Sequence, residues 1–540
     1  MRYGVQNCVT EWTFESGRLY ADPATDVALD VVFARPDGRQ ERVPAFWAGE
    51  STWRVRYAPA QAGTYRYRSV CSDASNPDLH GQEGSLDVAP YSGSNPLLKH
   101  GRLRVAADRR HLEHADGTPF FWLGDTWWMG FTKRLDWPAG FQELVADRAS
   151  KGFSLIQIVA GLYPDMEPFD ERGANEAGFP WEPGFARINP AYFDAADLRI
   201  AHLVRAGLVP CIVGMWGYYL DFAGRDAIER HWRYLVARYA AYPVVWCVAG
   251  EALMPYYLKR PRDEGEAQAL EARLRRTWSE VARDIRAADP FGNPITIHPT
   301  RFGHEQVDDP AVLDMDMLQT GHSGHASLAP TVDMLTESLA REPRMPVLVG
   351  EVNYEGILES SREEIQRFLF WACMLSGAAG HTYGANGIWQ VNTREQPFGP
   401  SPHGSAWGHL PWEEACRLPG SRQLGLGKRL LERYEWWRCE PHPEWVRPHQ
   451  TPQNRLSCYA AGIPGRLRIV YIPANESWAA WRGELAIQGL EPGIPYKGLL
   501  FDPKTGEEHD LGQVQGDADG DWFIPKPPVF QDYVLVLERV

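Results

Sequence analysis

Hydrophobic runs long enough to cross a bilayer are missing from this chain of 540 residues, and its first residues form no apolar signal segment. These two gaps argue against membrane-spanning helices and predict a cytoplasmic location. Positively charged residues are also few relative to negatively charged ones: the chain has 55 Lys and Arg and 70 Asp and Glu, which gives a net charge of −15. That balance argues against nucleic acid or an anionic membrane as the main partner.

Cysteine is scarce as well, with eight in the chain and no CxxC pair. Cys211, Cys247 and Cys373 fall inside predicted core elements, so we expect buried reduced thiols rather than disulfides. Tryptophan and tyrosine, in contrast, are abundant, with 22 of each. Their faces can stack on the apolar faces of sugar rings, although tryptophan also fills ordinary cores.

The chain is too long for one hydrophobic core, and its patterns divide it into three predicted domains. Residues 1–92 show short alternating strands separated by turns, which predict an immunoglobulin-like β-sandwich that packs on its neighbour or helps to accommodate sugar. Residues 93–438 contain a leading β-hairpin and then alternate strands with helices. Residues 439–540 return to alternating strands and predict a small β-sandwich, which either braces the fold or binds sugar through its tryptophans.

The central part contains eight predicted strands separated by helices, a pattern typical of a parallel sheet. Eight βα units within about 300 residues fit a TIM (β/α)8 barrel, so the predicted fold class is α/β. A doubly wound open sheet is the alternative, and it is weakened because no glycine-rich phosphate loop follows the first predicted strand. The predicted strands are 120–125, 153–159, 208–214, 244–251, 294–298, 315–319, 346–351 and one near 380–384.

Two of these strands end on a Gly-Glu pair. Uncharged apolar runs close on Glu251 in the fourth strand and on Glu351 in the seventh. Strands four and seven face each other across a barrel, and its active site lies at the carboxyl ends of the strands, so the two carboxylates are expected at one rim. One acid and one nucleophile or base is what cleavage of a glycosidic bond requires. The alternative for each is a carboxylate at a helix N-terminus or in a salt bridge.

Polar and aromatic residues occupy the ends of the other predicted strands. Hydrogen bonding to sugar hydroxyls or stacking on a sugar ring is predicted for Asp125, Trp127, Trp128, Tyr163, Trp216, Tyr218, His298, His322, Tyr354, His381, Tyr383 and Trp389. Asp125 could instead be a third acid or make a structural hydrogen bond, and each tryptophan could pack in the core. His298, His322 and His381 could tune the nucleophile or have a satisfied structural role. His322 and His325 also permit a metal site, but they lie in a glycine-rich loop without an acid cluster, so we predict no metal and no organic cofactor.

Three motifs at the strand ends carry a family resemblance. They are Gly124-Asp125-Thr126-Trp127-Trp128, Trp246-Cys247-Val248-Ala249-Gly250-Glu251 and Gly350-Glu351-Val352-Asn353-Tyr354-Glu355. Together they resemble the apiosidase-like glycoside hydrolases, which place a β-sandwich before the (β/α)8 barrel and a small β-domain after it. The resemblance is best over residues 100–440, and it implies that Glu251 is the acid/base and Glu351 the nucleophile. Apiosidases carry Gly-Gly-Asp where this chain has Ala249-Gly250-Glu251.

The residues and the resemblance together predict a retaining, exo-acting O-glycoside hydrolase of short oligosaccharides or glycosides that uses two glutamates. The alternative is a non-catalytic carbohydrate-binding protein on the same fold. A third hypothesis is an inverting hydrolase, which needs a carboxyl separation of roughly 6.5–9.5 Å. The expected partner is a small carbohydrate rather than nucleic acid or a membrane, and a homo-oligomer stays open.

Overall fold

The computed structural model describes residues 1–259 and 261–540, and it begins with two β-sheets packed face to face. The larger sheet has the strand order β1-β8-β7-β3-β4 and the smaller one β2-β6-β5. Val31 and Phe33 of the larger sheet share one buried cluster with Trp53 and Val55 of the smaller one, as in a β-sandwich. The elements are β1 (Arg2–Val5), β2 (Thr10–Glu15), α1 (Pro23–Asp26), β3 (Leu29–Ala34), β4 (Gln40–Pro44), β5 (Phe46–Gly49), β6 (Thr52–Tyr57), β7 (Gly63–Cys71) and β8 (Glu83–Ala89).

A short helix and a small antiparallel sheet lead into the central part of the chain. The helix is capped by Asn95, whose side chain accepts from the backbone N–H of Leu97. The sheet has the order β11-β10-β9, so the predicted leading hairpin carries one additional short strand. These elements are α2 (Pro96–Lys99), β9 (Leu103–Val105), β10 (Leu112–His114) and β11 (Pro119–Phe120).

Eight parallel strands form the central sheet, in the order β16-β15-β14-β13-β12-β19-β18-β17. Its two outermost strands meet where Asp314 donates its backbone N–H to Ile295 O at 2.8 Å, so the sheet nearly closes into a barrel. The predicted TIM-like barrel is confirmed, and the open doubly wound sheet is wrong. The strands are β12 (Trp122–Trp127), β13 (Leu155–Val159), β14 (Val209–Val213), β15 (Val245–Cys247), β16 (Ile295–Thr296), β17 (Asp316–Gln319), β18 (Val347–Glu351) and β19 (Gly380–Tyr383).

Helices surround this barrel and bury apolar side chains against it. Helix α4 is an example of how the sequence determines a helix. Asn189 caps its first turn and Pro190 occupies the first helical position. Phe193, Ile200 and Leu203 are buried on its apolar face. The helices are α3 (Ala139–Lys151), α4 (Pro190–Arg205), α5 (Tyr219–Ala223), α6 (Arg225–Tyr239), α7 (Glu264–Ala288), α8 (Leu328–Leu339), α9 (Glu363–Leu375), α10 (Trp412–Ala415) and α11 (Pro419–Leu431).

The C-terminal part is again β-structure, with a six-stranded sheet in the order β20-β22-β23-β28-β25-β26 and a three-stranded sheet β21-β24-β27. The α/β class with β-regions on both sides of the barrel is therefore confirmed. The elements are β20 (Glu440–Pro441), β21 (Val446–Arg447), β22 (Tyr459–Ile463), β23 (Leu467–Ile472), α12 (Ser477–Arg482), β24 (Ala486–Ile487), β25 (Tyr496–Phe501), β26 (Glu508–Val514), β27 (Trp522–Phe523) and β28 (Tyr533–Arg539).

Buried ion pairs attach both β-regions to the barrel. Arg367 of α9 contacts Asp532 of the C-terminal part through two bonds of 2.7 and 3.0 Å. Arg56 of β6 donates to Asp197 of α4 at 3.1 Å and to the backbone oxygen of Arg238 in α6 at 2.8 Å. Removing one member of such a pair would leave the other charge buried without a partner. Both β-regions are therefore attached to helices of the barrel by buried ion pairs.

Two observations concern the whole described chain. All eight cysteines lie among the described residues, and each of them is free. In the described ranges, none of the helices combines the length and the apolar character that a bilayer crossing demands.

Candidate active site

A cavity of about 630 Å³ opens at the carboxyl ends of the barrel strands, and both predicted glutamates line it. This is the end of the barrel at which enzymes of this fold carry their active sites. The cavity is bounded by strand ends and by the loops that follow them. Its lining residues are Trp128, Pro164, Asp165, Trp216, Glu251, Met254, Tyr257, Gln319, His322, Glu351, Tyr354, Ile357, Leu358, Trp389, His403, Ser405, Ala406 and Trp407.

Glu351 is the last residue of β18, and two histidines hold its carboxylate. His322 Nε2 lies 2.7 Å from Glu351 Oε1, and His298 Nε2 lies 3.0 Å from Glu351 Oε2. Burial by itself would raise the pKa of this carboxyl group, but the contacts with the two histidines outweigh burial and lower the pKa to about 2. Glu351 is therefore ionised at neutral pH, as a nucleophile or base must be.

Glu251 lies beyond the end of β15 and is held by two neutral donors. Trp216 Nε1 donates to Oε2 at 3.1 Å, and Gln319 Nε2 donates to Oε1 at 3.0 Å. Burial and the negative charge of Glu351 raise its pKa, and the two hydrogen bonds only partly oppose this. Its backbone has a φ of 41°, a left-handed conformation that is costly for a residue with a side chain and that often marks a functional position.

Glycine is required before each glutamate because there is no space for a side chain. A Cβ atom on Gly250 would overlap the ring of Trp216, and a Cβ atom on Gly350 would overlap the side chain of Met317. The absence of a side chain at Gly250 thus lets the Trp216 indole reach Glu251 and donate to it. Each Gly-Glu pair is a unit in which the glycine makes room beside the carboxylate.

The two glutamates consequently share one cavity but prefer opposite charge states. A carboxylate that stays ionised can attack or deprotonate, and a carboxyl group that retains its proton can donate it to a leaving oxygen. This division of roles is what glycosidic cleavage by a pair of carboxyl groups uses.

Seven of the predicted site residues line this cavity, and one more supports it from behind. Beside the two glutamates, the lining members are Trp128, Trp216, His322, Tyr354 and Trp389. His298 is fully buried, contacts Glu351 and packs edge-on against Trp128, with ring centroids 5.2 Å apart. It can act on a substrate only through Glu351. The predicted direct sugar contact of His298 is therefore corrected, and its position fits the other expectation for the histidines, which was to tune the nucleophile.

Asp125 and Trp127 lie outside the cavity, which corrects the predicted sugar contacts of both. Asp125 is fully buried and accepts from Arg148 Nε of α3 at 2.5 Å and from Trp127 Nε1 at 2.7 Å. Trp127 packs edge-on against Phe141 of the same helix. Side chains alternate along a strand, so residues 125 and 127 share the outer face of β12. Asp125 therefore makes structural hydrogen bonds and Trp127 packs in the core, as the alternatives for these two residues stated.

For the same reason, the side chains of His381 and Tyr383 on β19 point away from the cavity, which corrects their predicted sugar contacts. His381 packs edge-on against Phe370 of α9, and burial lowers its pKa to about 3. Tyr383 donates to Glu355 Oε2 at 2.5 Å, on the helix side of the sheet. Glu355 itself accepts from the backbone N–H of Gly420 in the first turn of α11, so its carboxyl group binds the N-terminus of a helix.

Tyr163 and Tyr218 are also buried away from the cavity. The Tyr163 hydroxyl is hydrogen-bonded to that of Tyr192 in α4 at 2.5 Å, and Tyr218 donates to the backbone oxygens of Tyr163 and Met166. Both hydroxyl groups are thus used within the protein, and their predicted sugar contacts are corrected. His325, the second histidine of the metal alternative, is exposed and lies 3.8 Å from Glu364 rather than beside His322.

Several lining residues come from loops that the sequence patterns did not assign to the site. Asp165 accepts from Ser401 Oγ at 2.8 Å and from Trp407 Nε1 at 3.0 Å, and it thereby ties the loop after β13 to the loop after β19. Tyr257, on the loop after β15, accepts from the backbone N–H of Asp165 at 3.3 Å. Gln319 is the last residue of β17, and that position was a signal in the sequence, whereas the loop residues 403–407 carried none.

Comparison with solved structures shows which proteins share this architecture. A structure named glycoside hydrolase is 21% identical, with a TM-score of 0.66 over 83% of this chain and 98% of that one. A glycoside hydrolase family 5 structure from Bacteroides vulgatus is 22% identical, with a TM-score of 0.65 over 82% and 94% of the two chains. Another Bacteroides vulgatus structure aligns over 100% of both chains, at 16% identity and a TM-score of 0.70. The fold is thus one that glycoside hydrolases share.

Comparison with models of protein families shows to which family the chain belongs. Residues 106–438 match the apiosidase-like catalytic domain, which is more than half of the chain, and residues 7–72 match a domain of unknown function, DUF5060. No curated protein sequence matches the chain significantly. The chain therefore belongs to the apiosidase-like family, and the resemblance noted in its strand-end motifs is confirmed.

Proposed function

We propose that this protein is a retaining, exo-acting O-glycoside hydrolase of short oligosaccharides or glycosides. One observation carries the proposal: Glu351 is held by two histidines and Glu251 by two neutral donors, at the edge of the same cavity. A carbohydrate-binding protein without activity has no need for two carboxyl groups with opposite charge preferences.

In the first step, Glu351 attacks the anomeric carbon while the bond from that carbon to the leaving oxygen breaks. The proton of Glu251 passes to the leaving oxygen, and a glycosyl ester of Glu351 remains. In the second step, the ionised Glu251 takes a proton from water, the water oxygen attacks the anomeric carbon, and the Glu351 carboxylate leaves. The two displacements return the original anomeric configuration, and Glu251 ends protonated as it began.

The loops around the cavity favour action at a chain end. Asp165 holds Trp407 through its indole, and the backbone N–H of Leu358 donates to Trp407 O at 2.9 Å. Three loops are thus linked across one side of the opening, which suits a pocket for a terminal sugar better than a cleft for a long chain. We also retain the cytoplasmic location as a proposal, in which the substrate arrives as small pieces.

The test is a panel of aryl α- and β-glycosides of pentoses and hexoses, followed by NMR of the first product released from the best substrate. Retention requires that the first anomer detected has the configuration of the substrate. The opposite anomer would establish an inverting hydrolase instead. Binding without turnover across the whole panel would favour the carbohydrate-binding alternative.

A further inference from the structure

The floor and the mouth of the cavity differ in chemistry. Trp128, Tyr354 and Trp389 are almost fully buried and form the floor, close to Glu351. The mouth is formed by partly or fully exposed residues of the loops, and their side chains are mainly aromatic or apolar. The mouth residues are Met254, Tyr257, Leu358, His403 and Trp407.

The floor and the residues beside the two glutamates carry polar atoms without a hydrogen-bond partner in the protein. They are the hydroxyl of Tyr354, Nε1 of Trp389, Nδ1 of His322 and Oε1 of Gln319, all among the described lining residues. A buried polar atom without a partner is unfavourable, so these atoms fit hydroxyl groups of a bound sugar ring. Two of the four atoms belong to floor residues, and the other two belong to side chains that contact Glu351 and Glu251. The donors and acceptors that a sugar needs are therefore concentrated around the two glutamates and the floor.

The leaving group must lie beside the group that protonates it, which is Glu251. Met254 and Tyr257 follow Glu251 on the same loop, and the backbone N–H of Met254 donates to Glu251 O at 2.9 Å. Trp216 and Gln319 are engaged with Glu251 itself, and the side chains that follow Glu251 on its own loop and line the cavity are a thioether and a phenol ring. Neither side chain offers the several hydrogen-bond donors and acceptors that would bind a second sugar.

Tyr257 continues into a row of rings along the mouth, which we call the aromatic wall and define as Tyr257, His403 and Trp407. The centroids of Tyr257 and His403 are 5.6 Å apart, and those of His403 and Trp407 are 5.4 Å apart. Asp165 fixes both ends, because it accepts from Trp407 Nε1 and its backbone N–H donates to the Tyr257 hydroxyl. Neighbouring rings of the wall meet edge to face, with interplanar angles of 66° and 76°, so a planar group can stack on the face of one ring while it contacts the edge of the next. A wall that is held in this way loses little freedom in such a contact.

We propose that the substrate is a glycoside of an aromatic aglycone, which lies along the aromatic wall while its sugar occupies the floor. This inference rests on the proposed function, because it uses Glu251 as the proton donor. An anionic aglycone is disfavoured, since Asp165 and the ionised Glu351 line the cavity and no Lys or Arg does among the described lining residues.

The test compares phenyl and 2-naphthyl glycosides of the best sugar in the panel. The two phenols are similarly acidic, so the leaving-group chemistry is nearly constant while the stacking area grows. We expect kcat/KM for the naphthyl glycoside to be about tenfold higher, chiefly through KM. Tyr257→Ser should reduce this ratio to about two, whereas Tyr257→Phe, which keeps the ring, should preserve it.

Two further variants complete the design. His403→Ser removes a second ring of the wall at an exposed position, and it should also lower the ratio, so the test does not depend on the folding of Tyr257→Ser. Trp478→Ser alters an exposed tryptophan of the C-terminal part, 53% accessible and outside the cavity, and should change no rate.

Equal kcat/KM for the two glycosides in the unaltered enzyme would overturn the aromatic aglycone and leave the hydrolase proposal intact. A high ratio that survives both Tyr257→Ser and His403→Ser would place the aglycone elsewhere and overturn the wall. If no glycoside of any kind is hydrolysed, the proposed function and this inference fall together.

Discussion

His322 Nε2 lies 2.7 Å from Glu351 Oε1, and His298 approaches the other oxygen of the same carboxylate at 3.0 Å. These contacts lower the pKa of Glu351 against the effect of burial, and the retained charge then adds to burial in raising the pKa of Glu251. The difference between two chemically identical side chains is therefore created by their neighbours.

The substitution Glu351→Gln should abolish hydrolysis of every substrate. The amide keeps the volume of the side chain but cannot attack the anomeric carbon, so kcat/KM should fall by about 1,000-fold or more. The measurement is initial rates on the best aryl glycoside. Glu355→Gln is the matched control, because Glu355 lies four residues further along and is buried outside the cavity; a similar loss in both variants would contradict the assignment.

The substitution Glu251→Gln should separate substrates by leaving group. Glycosides of poor leaving groups need a proton from Glu251 and should lose about 100- to 10,000-fold in rate, whereas those of very acidic phenols leave without it. With such phenols a burst of one equivalent should precede slow turnover, because the second step also needs Glu251 as base. Equal losses for acidic and weakly acidic phenols would reject Glu251 as the acid.

The pH dependence of kcat/KM should report both carboxyl groups. The proposed mechanism requires ionised Glu351 and protonated Glu251, so the acidic limb should follow the pKa of Glu351 near 2 and the alkaline limb the raised pKa of Glu251. His322→Phe removes one hydrogen bond to the Glu351 carboxylate, so the pKa of Glu351 should rise and the acidic limb should move to higher pH. Circular dichroism at each pH separates this shift from unfolding, and an unmoved limb would contradict the role of His322.

Glu355 should make the stability of the protein depend on pH. Burial raises its pKa from 4.5 to about 7, so the folded state prefers the protonated form. The stabilisation is complete below about pH 4.5 and is lost as pH rises through 7, by roughly 3 kcal/mol in total. Glu355→Gln removes the ionisation, so its advantage over the unaltered protein should appear at pH 8 and vanish at pH 4.5.

Urea unfolding at the two pH values measures this difference, and the exposed Glu364→Gln serves as its control because it should show no such dependence. An advantage of Glu355→Gln that is the same at both pH values would indicate a packing effect instead of an ionisation.

The substitution Gly250→Ala should damage activity and stability together. The added methyl group overlaps the Trp216 ring, so Trp216 must move away from Glu251 and the fold should lose about 1–3 kcal/mol. Gly265→Ala is the control, because Gly265 lies in the first turn of α7, where a Cβ atom meets only Asp263 Oδ1 at 3.4 Å. Thermal unfolding and kcat/KM of both variants give the comparison, and a fully active Gly250→Ala would refute the steric account.

The architecture was accessible from the sequence because it depends on local patterns. Apolar runs marked the eight strands of the barrel to within a few residues of their bounds in the structure. Glu251 and Glu351 were identified for a related reason. A charge at the end of an uncharged buried run stands out in the chain, and the fold rule for barrels says where such an end lies.

Tertiary structure alone decided which side chains face the cavity. Asp125, Trp127, His381 and Tyr383 sit on barrel strands, but the pleat turns them toward α3 and α9, and a one-residue difference in phase reverses that outcome. The loops carrying Tyr257 and Trp407 meet through Asp165 across distances that no local pattern encodes. The unequal charge preference of the two glutamates is likewise a property of contacts between distant segments, because electrostatics depends on separation in space rather than along the chain.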